Sequence, residues 1–273
     1  MSRAPVVLDG PMGTELARRG VPLPAPAWSA VALDVAPELI AAVHCDYVAA
    51  GATVHTANTF RTTRRSVGTR WEELARQAVR IARSSVGGLR VAGSIAPLED
   101  CYRPDLSPGL ASREEHRELA RVLADAGADV LLCETFPDER EIVVAVEEAV
   151  RTGLETWASI LPMRPGTLRE TARACVAAGA RVVLVNCVAA KDTLPLVAEL
   201  ADLGIPCGAY ANAGGEDAGI GWGTDPETGA RAYEALARSW IDAGASVVGG
   251  CCGTGPAHIA RLALAHGMER RGR

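Results

Sequence analysis

The stretch Ala-Gly-Ala-Thr-Val-His-Thr-Ala, residues 50–57, contains the pattern that decides the fold of this chain. Its tripeptide Ala-Gly-Ala occurs four times, each time after a helical pattern and before a run rich in β-branched or apolar residues. A glycine just past a helix end commonly adopts the left-handed conformation that caps the helix, so each copy predicts a helix followed by a strand. The strands predicted in this way are residues 53–60, 129–136, 181–187 and 246–250.

Four more apolar runs complete the pattern, at residues 6–9, 90–95, 156–160 and 206–210. All eight runs are mostly apolar rather than alternating, as expected of parallel strands that are covered on both faces. Helix signals fill the intervals: Pro37 in a first turn, Asp225 before Pro226, and a capping box of Ser112 with Glu115. Eight strand–helix units of roughly 30 residues favour the α/β class, as a single (β/α)8 TIM barrel.

The composition of the 273-residue chain agrees with one such barrel. With 48% hydrophobic residues and no break in the strand–helix pattern, residues 1–273 are expected to form one domain. A net charge of −5 without a run of Lys or Arg argues against nucleic-acid binding. No apolar stretch has the length of a membrane span or a signal peptide, so a cytoplasmic location is expected. Eight cysteines are too few for a disulfide scaffold, which leaves metal binding, catalysis or core packing.

Polar residues stand where these apolar strands end. The active site of a (β/α)8 barrel lies at the C-terminal ends of its strands, whereas a purely structural role there predicts apolar residues. The polar residues therefore form one ring of candidate site residues. They are found in Asp9-Gly10, Asn58-Thr59, Ser94, Glu134-Thr135, Asn186-Cys187, Tyr210-Ala211-Asn212 and the segment 249–253.

Three cysteines, Cys187, Cys251 and Cys252, belong to this ring. Three thiolates suit a borderline-soft ion such as Zn²⁺ and leave its fourth coordination position open. Adjacent cysteines on one metal need an irregular backbone, which Gly250 and Gly253 allow. Buried free thiols or a vicinal disulfide are the alternatives, and spacing alone does not decide between them and a metal site.

Two carboxylates of the ring, Glu134 and Asp9, are candidates for substrate binding. Each has a structural alternative: Glu134 as the partner of an arginine at the rim, and Asp9 as the cap of a helix that begins near Thr14. Gly10 and Gly13 flank the entry to this helix. A glycine-rich turn from a strand into a helix can bind a carboxylate through backbone N–H groups.

Five motifs together resemble the homocysteine S-methyltransferase family, which includes the homocysteine-binding module of cobalamin-dependent methionine synthase and the betaine- and S-methylmethionine-dependent enzymes. They occur in the family's order and span nearly the whole chain. They are Asp-Gly-Pro-Met-Gly-Thr-Glu-Leu at residues 9–16, Ala-Asn-Thr-Phe at 57–60, Glu-Thr-Phe at 134–136, Asn-Cys at 186–187 and Gly-Gly-Cys-Cys-Gly-Thr at 249–254. The resemblance implies a (β/α)8 barrel that methylates homocysteine to methionine.

The same resemblance implies roles for individual residues. It implies Zn²⁺ held by the three cysteines of the ring, with Glu134 facing the ammonium group of homocysteine and Asp9 helping to hold the same part of the substrate. Asn58 and Asn186 would line this pocket. Coordination of the substrate sulfur to the metal removes its proton, so no general base is required among the side chains.

The methyl donor is expected to be a small diffusible molecule, because the chain has no further predicted domain to deliver one. S-methylmethionine and S-adenosylmethionine are favoured, since an aromatic wall can bind a sulfonium. Trp28, Tyr210 and Trp222 lie in the rim segments, where anchoring of loops is their alternative role. Arg61 directly follows Phe60, and a cation at this position would repel the ammonium group of betaine.

Two other functions compete with this interpretation. The first is the same fold acting with a corrinoid or other methyl-carrier protein, or on another thiol or selenol. The second is a non-catalytic zinc- or thiol-binding protein, against which Glu134 and Asp9 argue, because metal storage needs no amino-acid pocket. The expected partners are therefore homocysteine and a methyl donor, and the sequence indicates no protein, nucleic-acid or membrane partner.

Overall fold

In the computed structural model, residues 4–265 are described, and they form eight parallel strands surrounded by helices. The strands are β1 (Val6–Val7), β2 (Val54–Thr56), β3 (Arg90–Ile95), β4 (Val130–Phe136), β5 (Glu155–Ile160), β6 (Val182–Ala189), β7 (Cys207–Asn212) and β8 (Ala245–Gly250). Their order is β1-β8-β7-β6-β5-β4-β3-β2. A bridge between Leu8 and Val54 joins the two ends of the sheet, so the predicted (β/α)8 barrel is confirmed.

Helices connect the strands and form the outer layer. They are α1 (Met12–Arg18), α2 (Ala32–Val35), α3 (Pro37–Ala49), α4 (Arg64–Val67), α5 (Trp71–Ser85), α6 (Arg113–Asp125), α7 (Glu139–Val150), α8 (Leu168–Ala177), α9 (Leu194–Ala201), α10 (Pro226–Asp242) and α11 (Pro256–Ala265). Pro37 and Pro226 open α3 and α10, as the sequence predicts. Asp225 caps α10 by accepting a hydrogen bond from the backbone N–H of Thr228 at 2.9 Å.

The glycine of each Ala-Gly-Ala tripeptide has the left-handed conformation that the sequence predicts. The φ angles lie between 93° and 112° at Gly51, Gly127, Gly179 and Gly244. At Gly51 a side chain is also excluded by space, because a Cβ would lie 2.7 Å from the Cβ of Ala263. Each glycine ends a helix and turns the chain into the next strand.

Alternate residues along the strands divide the core into two parts. In β4, Val130 and Leu132 belong to the cluster that fills the barrel interior, whereas Leu131 and Cys133 pack under the helices. Trp157 in β5 is the largest side chain of the interior cluster and is 1% exposed. Because the interior is filled by side chains, a substrate is expected to bind at the rim of the barrel and not inside it.

The capping box of Ser112 and Glu115 is not formed, contrary to the sequence prediction. A 3₁₀ turn, Gly109–Ser112, precedes α6, so Ser112 already has helical dihedral angles and cannot act as a cap. Its hydroxyl donates to the carbonyl of Gly109 at 2.6 Å. The carboxylate of Glu115 instead accepts hydrogen bonds from Arg65.

Strand β2 is shorter than the predicted strand 53–60 because side-chain contacts replace the backbone ladder after Thr56. The hydroxyl of Thr59 donates to the carbonyl of Ser94 at 2.8 Å and accepts from the N–H of the same residue at 2.9 Å. The segment that follows Thr56 is therefore held as a loop at the rim.

Within residues 4–265, no single helix is both long and apolar enough to cross a bilayer. The one combination that meets the length and composition criteria is Trp28–Val35 with Pro37–Ala49, which is bent by 112°.

Candidate active site

A cavity of about 460 Å³ opens at the C-terminal ends of the strands. Its volume lies in the range of roughly 300–1,000 Å³ that is typical of sites for small molecules. Most of its wall is apolar, and a few polar side chains converge on it. The site residues selected from the sequence that line it are Asp9, Gly10, Asn58, Glu134, Cys187, Cys251 and Cys252.

The three cysteines bring their sulfur atoms together on the wall of this cavity. The Sγ atoms of Cys187 and Cys251 lie 3.2 Å apart, and those of Cys251 and Cys252 lie 4.0 Å apart. All three sulfur atoms are within 4.8 Å of one another. Sulfur ligands at 2.3 Å from a tetrahedral zinc ion are about 3.8 Å apart, so this set fits one metal ion after changes of up to about 1 Å in the S–S distances.

The three thiols differ in pKa. Side-chain hydrogen bonds from Cys187 and Cys251 lower the pKa of Cys252 to about 3, because they stabilise its thiolate. The pKa of Cys251 is raised by its hydrogen bonds with the two other cysteines and by burial. The exposed Cys252 is therefore the thiol that ionises most easily, and a cation among the three sulfur atoms would favour ionisation of the other two.

The loop that carries Cys251 and Cys252 is held by the first helix. The guanidinium of Arg18 donates to the carbonyls of Gly253 and Thr254 at 3.0 Å each, and Glu15 orients it at 2.6 Å. The N–H of Gly253 donates to the hydroxyl of Thr14 at 3.1 Å. Sequence reasoning missed these three side chains of α1. Thr14 and Glu15 belong to the motif 9–16, whereas Arg18 lies outside it and carried no signal.

Glu134 is a buried carboxylate without a positively charged partner in the described chain. Its oxygens accept hydrogen bonds from the hydroxyl of Ser94 at 2.5 Å and from the hydroxyl of Tyr210 at 2.8 Å. Burial raises its pKa above the usual value, against the opposing effect of these two hydrogen bonds. An ion pair with an arginine, the structural alternative for Glu134, is not formed within residues 4–265.

Asp9 is the second buried carboxylate at the cavity. One oxygen accepts a hydrogen bond from the N–H of Thr56 at 2.8 Å. Burial raises its pKa well above the usual value, and the hydrogen bonds with Thr56 oppose this effect. Asp9 does not cap α1, because Pro11 stands at the N-cap and no side chain caps this helix.

Asn58 and Gly10 line the cavity near Asp9. The amide of Asn58 accepts from the hydroxyl of Ser29 at 2.7 Å and donates to its carbonyl at 2.8 Å. A Cβ at Gly10 would lie 2.6 Å from the hydroxyl oxygen of Tyr47, so glycine is required there. Asn58 thus fixes the loop before α2 against the end of β2.

Asn186 does not line the cavity, in contrast to the expectation from the sequence. Its amide oxygen accepts from the N–H of Thr135 at 3.2 Å and from the hydroxyl of Ser159 at 2.8 Å. Its amide nitrogen donates to the hydroxyl of Thr135 at 2.7 Å. Thr135 and Cys187 both have positive φ angles, of 64° and 55°, which are unfavourable for residues other than glycine. Asn186 therefore helps to hold the strained ends of β4 and β6.

Arg61 lies behind an aromatic pair and does not line the cavity, although it was expected to meet the donor directly. Trp28 and Phe60 line the cavity and stack with centroids 5.9 Å apart. The guanidinium of Arg61 is 4.5 Å from the Trp28 centroid and 5.0 Å from that of Phe60. It donates to the carbonyls of Pro97 and Glu99, which accounts for its burial.

Other side chains complete the wall. Trp222 and Tyr210, which the sequence placed in rim segments, both line the cavity. Cys101 and Tyr102, from the loop after β3, also line it and were not selected from the sequence. Their only signal was their position after a predicted strand, because no motif includes them.

Comparisons with known proteins agree with this geometry. The profile of the family described as Homocysteine S-methyltransferase matches residues 6–266. The chain is 33% identical to a homocysteine S-methyltransferase from Escherichia coli K12, over 94% of each chain. It is 29% identical to a selenocysteine Se-methyltransferase from Brassica oleracea, over 93% of this chain and 86% of that protein. A crystal structure of the metallated form of the homocysteine methyltransferase MmuM from Escherichia coli superimposes with a TM-score of 0.83 at 29% identity, covering 97% of both chains.

Proposed function

The chain belongs to the homocysteine S-methyltransferase family and is a methyltransferase, and from this premise we propose that it methylates homocysteine at a zinc ion held by Cys187, Cys251 and Cys252. The observation that carries the proposal is the meeting of three thiols and two buried carboxylates in one cavity. Thiols alone are compatible with metal storage. Carboxylates that lack a counter-ion are suited to the ammonium group of an amino acid.

The donor set of the site supports a metal ion with one exchangeable position. The sulfur atoms have a spacing close to that of ligands on a tetrahedral zinc ion, and residues 4–265 supply three protein ligands there. A relative whose structure is of a metallated form supports the same conclusion. When bound, the ion lowers the pKa of the homocysteine thiol from its ordinary ~8.5, so that the nucleophilic thiolate forms at neutral pH.

The side chains of the cavity bind and orient the amino-acid part of homocysteine. The carboxylate of Glu134 faces the ammonium group, which supplies the counter-charge that Ser94 and Tyr210 do not. Asp9 contributes a second negative oxygen at the same wall, and Asn58 holds the loop that closes it. Gly10 lets the ring of Tyr47 pack against the backbone of this wall, where a side chain would meet the tyrosine.

We propose that the methyl donor is a small sulfonium, S-methylmethionine or S-adenosylmethionine, that enters the same cavity. Aromatic faces attract such cations, and Trp28, Tyr102 and Trp222 line the cavity. The charge of Arg61 behind Trp28 and Phe60 weakens the attraction of these two rings for a cation. Tyr102 and Trp222 are therefore the aromatic side chains that we assign to the donor.

A selenol is the second candidate acceptor, because relatives include a selenocysteine Se-methyltransferase. Selenium is larger and softer than sulfur and binds the same thiolate-ligated metal. The cavity residues that face the amino-acid group serve either acceptor, so the two differ mainly at the reacting atom.

A panel of donors and acceptors tests the proposal. Zinc-loaded protein is incubated with homocysteine and, in turn, S-methylmethionine, S-adenosylmethionine, betaine and methylcobalamin, and methionine is quantified by mass spectrometry. We expect turnover with at least one sulfonium and none with betaine. Selenocysteine replaces homocysteine in a parallel series. Turnover with methylcobalamin alone would instead support a corrinoid-carrying partner.

A further inference from the structure

A second group of metal-ligating side chains lies behind the cavity wall. It consists of Asp9 after β1, His44 on α3 and His55 on β2, and it is called the Asp–His–His cluster below. One possible ligand atom from each residue lies within 4.8 Å of those of the other two. All three side chains are buried, and the two histidines are 0% exposed.

Among residues 4–265 the two histidines have no hydrogen bond of normal length and angle, although the backbone of Ala52 lies close to His55. Both ring nitrogens of His44 and both of His55 are buried and unpaired. Desolvation lowers the pKa of His44 to about 3 and that of His55 to about 4, so both rings are neutral at neutral pH. A buried polar group without a partner costs about 1–3 kcal/mol, and such groups are rare in folded proteins. Four of them in one place indicate a missing partner.

Asp9 is a buried carboxylate that lacks a positively charged partner among the described residues. Its carboxylate is buried, and its nearest basic group in the described chain is His55, with Nδ1 4.0 Å from Oδ2. Thr56 supplies the polar contacts of Asp9 within residues 4–265, and Glu134 adds negative charge nearby. A buried carboxylate in this environment lacks a positive charge.

One cation would bind the lone-pair nitrogen of each ring and would neutralise the carboxylate of Asp9. We propose that Asp9, His44 and His55 bind a divalent transition-metal ion, Zn²⁺ in the first place, at a site that is separate from the three cysteines. Two imidazole nitrogens and one carboxylate oxygen form a donor set that zinc and its neighbours prefer. Ligand atoms at about 2.0–2.1 Å from a tetrahedral ion are about 3.4 Å apart, so Asp9 and His55 have to approach each other by roughly 0.6 Å.

The position of the cluster indicates a structural role for this ion. It would link α3 to the ends of β1 and β2, and α3 also carries Tyr47, whose hydroxyl oxygen packs against Gly10. The ion would further keep Asp9 ionised at the cavity wall. Because the cluster is fully buried, the ion would be incorporated as the chain folds. This inference depends on the three side chains and not on the proposed reaction.

Metal stoichiometry tests the inference. The full-length protein is refolded or expressed with zinc and reductant, desalted, and analysed by inductively coupled plasma mass spectrometry. We expect two zinc ions for the unmodified chain and one for His44→Leu and for His55→Leu, in which leucine replaces a neutral buried ring. The variant with both Cys251→Ser and Cys252→Ser should also keep one. His116→Gln, at a buried histidine that contacts Glu141 outside the cluster, should keep two.

Cobalt substitution separates the two sites by spectroscopy. Thiolate-bound Co²⁺ gives an intense near-ultraviolet charge-transfer band, whereas nitrogen and oxygen ligands give only weak visible bands. His55→Leu should lose only the weak bands. The proposal would be overturned by a single equivalent of metal that gives the charge-transfer band, or by a second equivalent that survives both histidine substitutions. If the unmodified chain bound Co²⁺ without giving the charge-transfer band, the result would count against the cysteine site instead.

Discussion

Cys252 differs from the other two cysteines of the site because it is exposed and its pKa is lowered to about 3. The neighbouring thiols of Cys187 and Cys251 favour its thiolate. A metal binds cysteine as the thiolate, so metal uptake by the three cysteines releases protons and depends on pH.

Substitution of Cys252 tests whether it is a metal ligand. A serine hydroxyl is a poor ligand for zinc at neutral pH, so Cys252→Ser should lose zinc from the cysteine site during competition with a chelator, with affinity reduced at least about tenfold. Zinc retention is measured with a colorimetric chelator. The exposed Cys45 provides the control, and Cys45→Ser should behave as the unmodified chain does. Equal retention by Cys252→Ser would exclude this cysteine as a ligand.

Glu134 is predicted to contribute to homocysteine binding and not to metal binding. Glu134→Gln keeps the shape but removes the charge, so the KM for homocysteine should rise roughly 10- to 150-fold, equivalent to the ~1.5–3 kcal/mol of a hydrogen bond to a charged group. Zinc content should be unchanged. Glu72→Gln, on the exposed surface of α5, is the control. An unchanged KM would remove Glu134 from the substrate site.

The same carboxylate should destabilise the ligand-free protein above acidic pH. Its folded-state pKa is raised by burial, so the folded state binds the proton more tightly than the unfolded state does. Stability is therefore lost as the pH rises from the unfolded value of ~4.3 through the folded pKa. Glu134→Gln should melt at a higher temperature than the unmodified chain, by a margin that grows across this pH window. Thermal unfolding followed by circular dichroism measures this margin. A lower melting temperature of the variant at neutral pH would contradict the prediction.

At the scale of elements, the sequence predicts the centres of the strands better than their ends. The Ala-Gly-Ala tripeptides mark where helices stop, because a left-handed glycine is a local requirement. The end of β2 depends on Thr59 bonding to Ser94, and the irregular end of β6 follows a register shift after Asn186. These are contacts between distant segments, which no local pattern encodes.

The residues of the candidate site also divide into those that a local pattern identifies and those that depend on contacts between distant segments. Cysteines and carboxylates at strand ends could be recognised because such residues are unusual there, and they line one cavity. Arg18 could not be recognised, since its carbonyl partners are 235 and 236 residues away. The position of Arg61 behind Trp28, rather than in the cavity, likewise depends on the loop after β3.

Helix α1 is predicted to position the cysteine loop through Arg18. Arg18→Met keeps the aliphatic part of the side chain and removes both hydrogen bonds to the loop, so zinc should dissociate about tenfold faster, allowing for the partial exposure of this arginine. Arg19→Met is the matched control, because Arg19 pairs with Asp46 and Glu15 instead. Zinc transfer to a chelator gives the rates, and identical rates for the two variants would refute the positioning role.

At the scale of the whole molecule, the closed sheet makes every strand depend on its neighbours. The first and last strands pair with each other, so the barrel is complete only when both ends of the described chain are in place. Closure also brings Asp9 from the first strand beside the cysteine loop that follows the last one. The cavity is therefore a product of the closed barrel and not of any one segment.

We propose accordingly that residues 1–273 form one domain, and limited proteolysis tests this. Cleavage should yield no separately stable half, because each part would expose an unpaired strand and an open core. Trimming of a few terminal residues is compatible with the prediction. A protease-resistant fragment of about half the length, folded by circular dichroism, would contradict it.

The central claim is that a metal at the three cysteines activates homocysteine. The most direct measurement is the rate of methionine formation from homocysteine and S-methylmethionine by the zinc-loaded protein, by the same protein after chelation, and after zinc is restored. We expect turnover by the loaded protein, loss of turnover on chelation, and recovery with zinc. Equal rates in the loaded and stripped protein would contradict it.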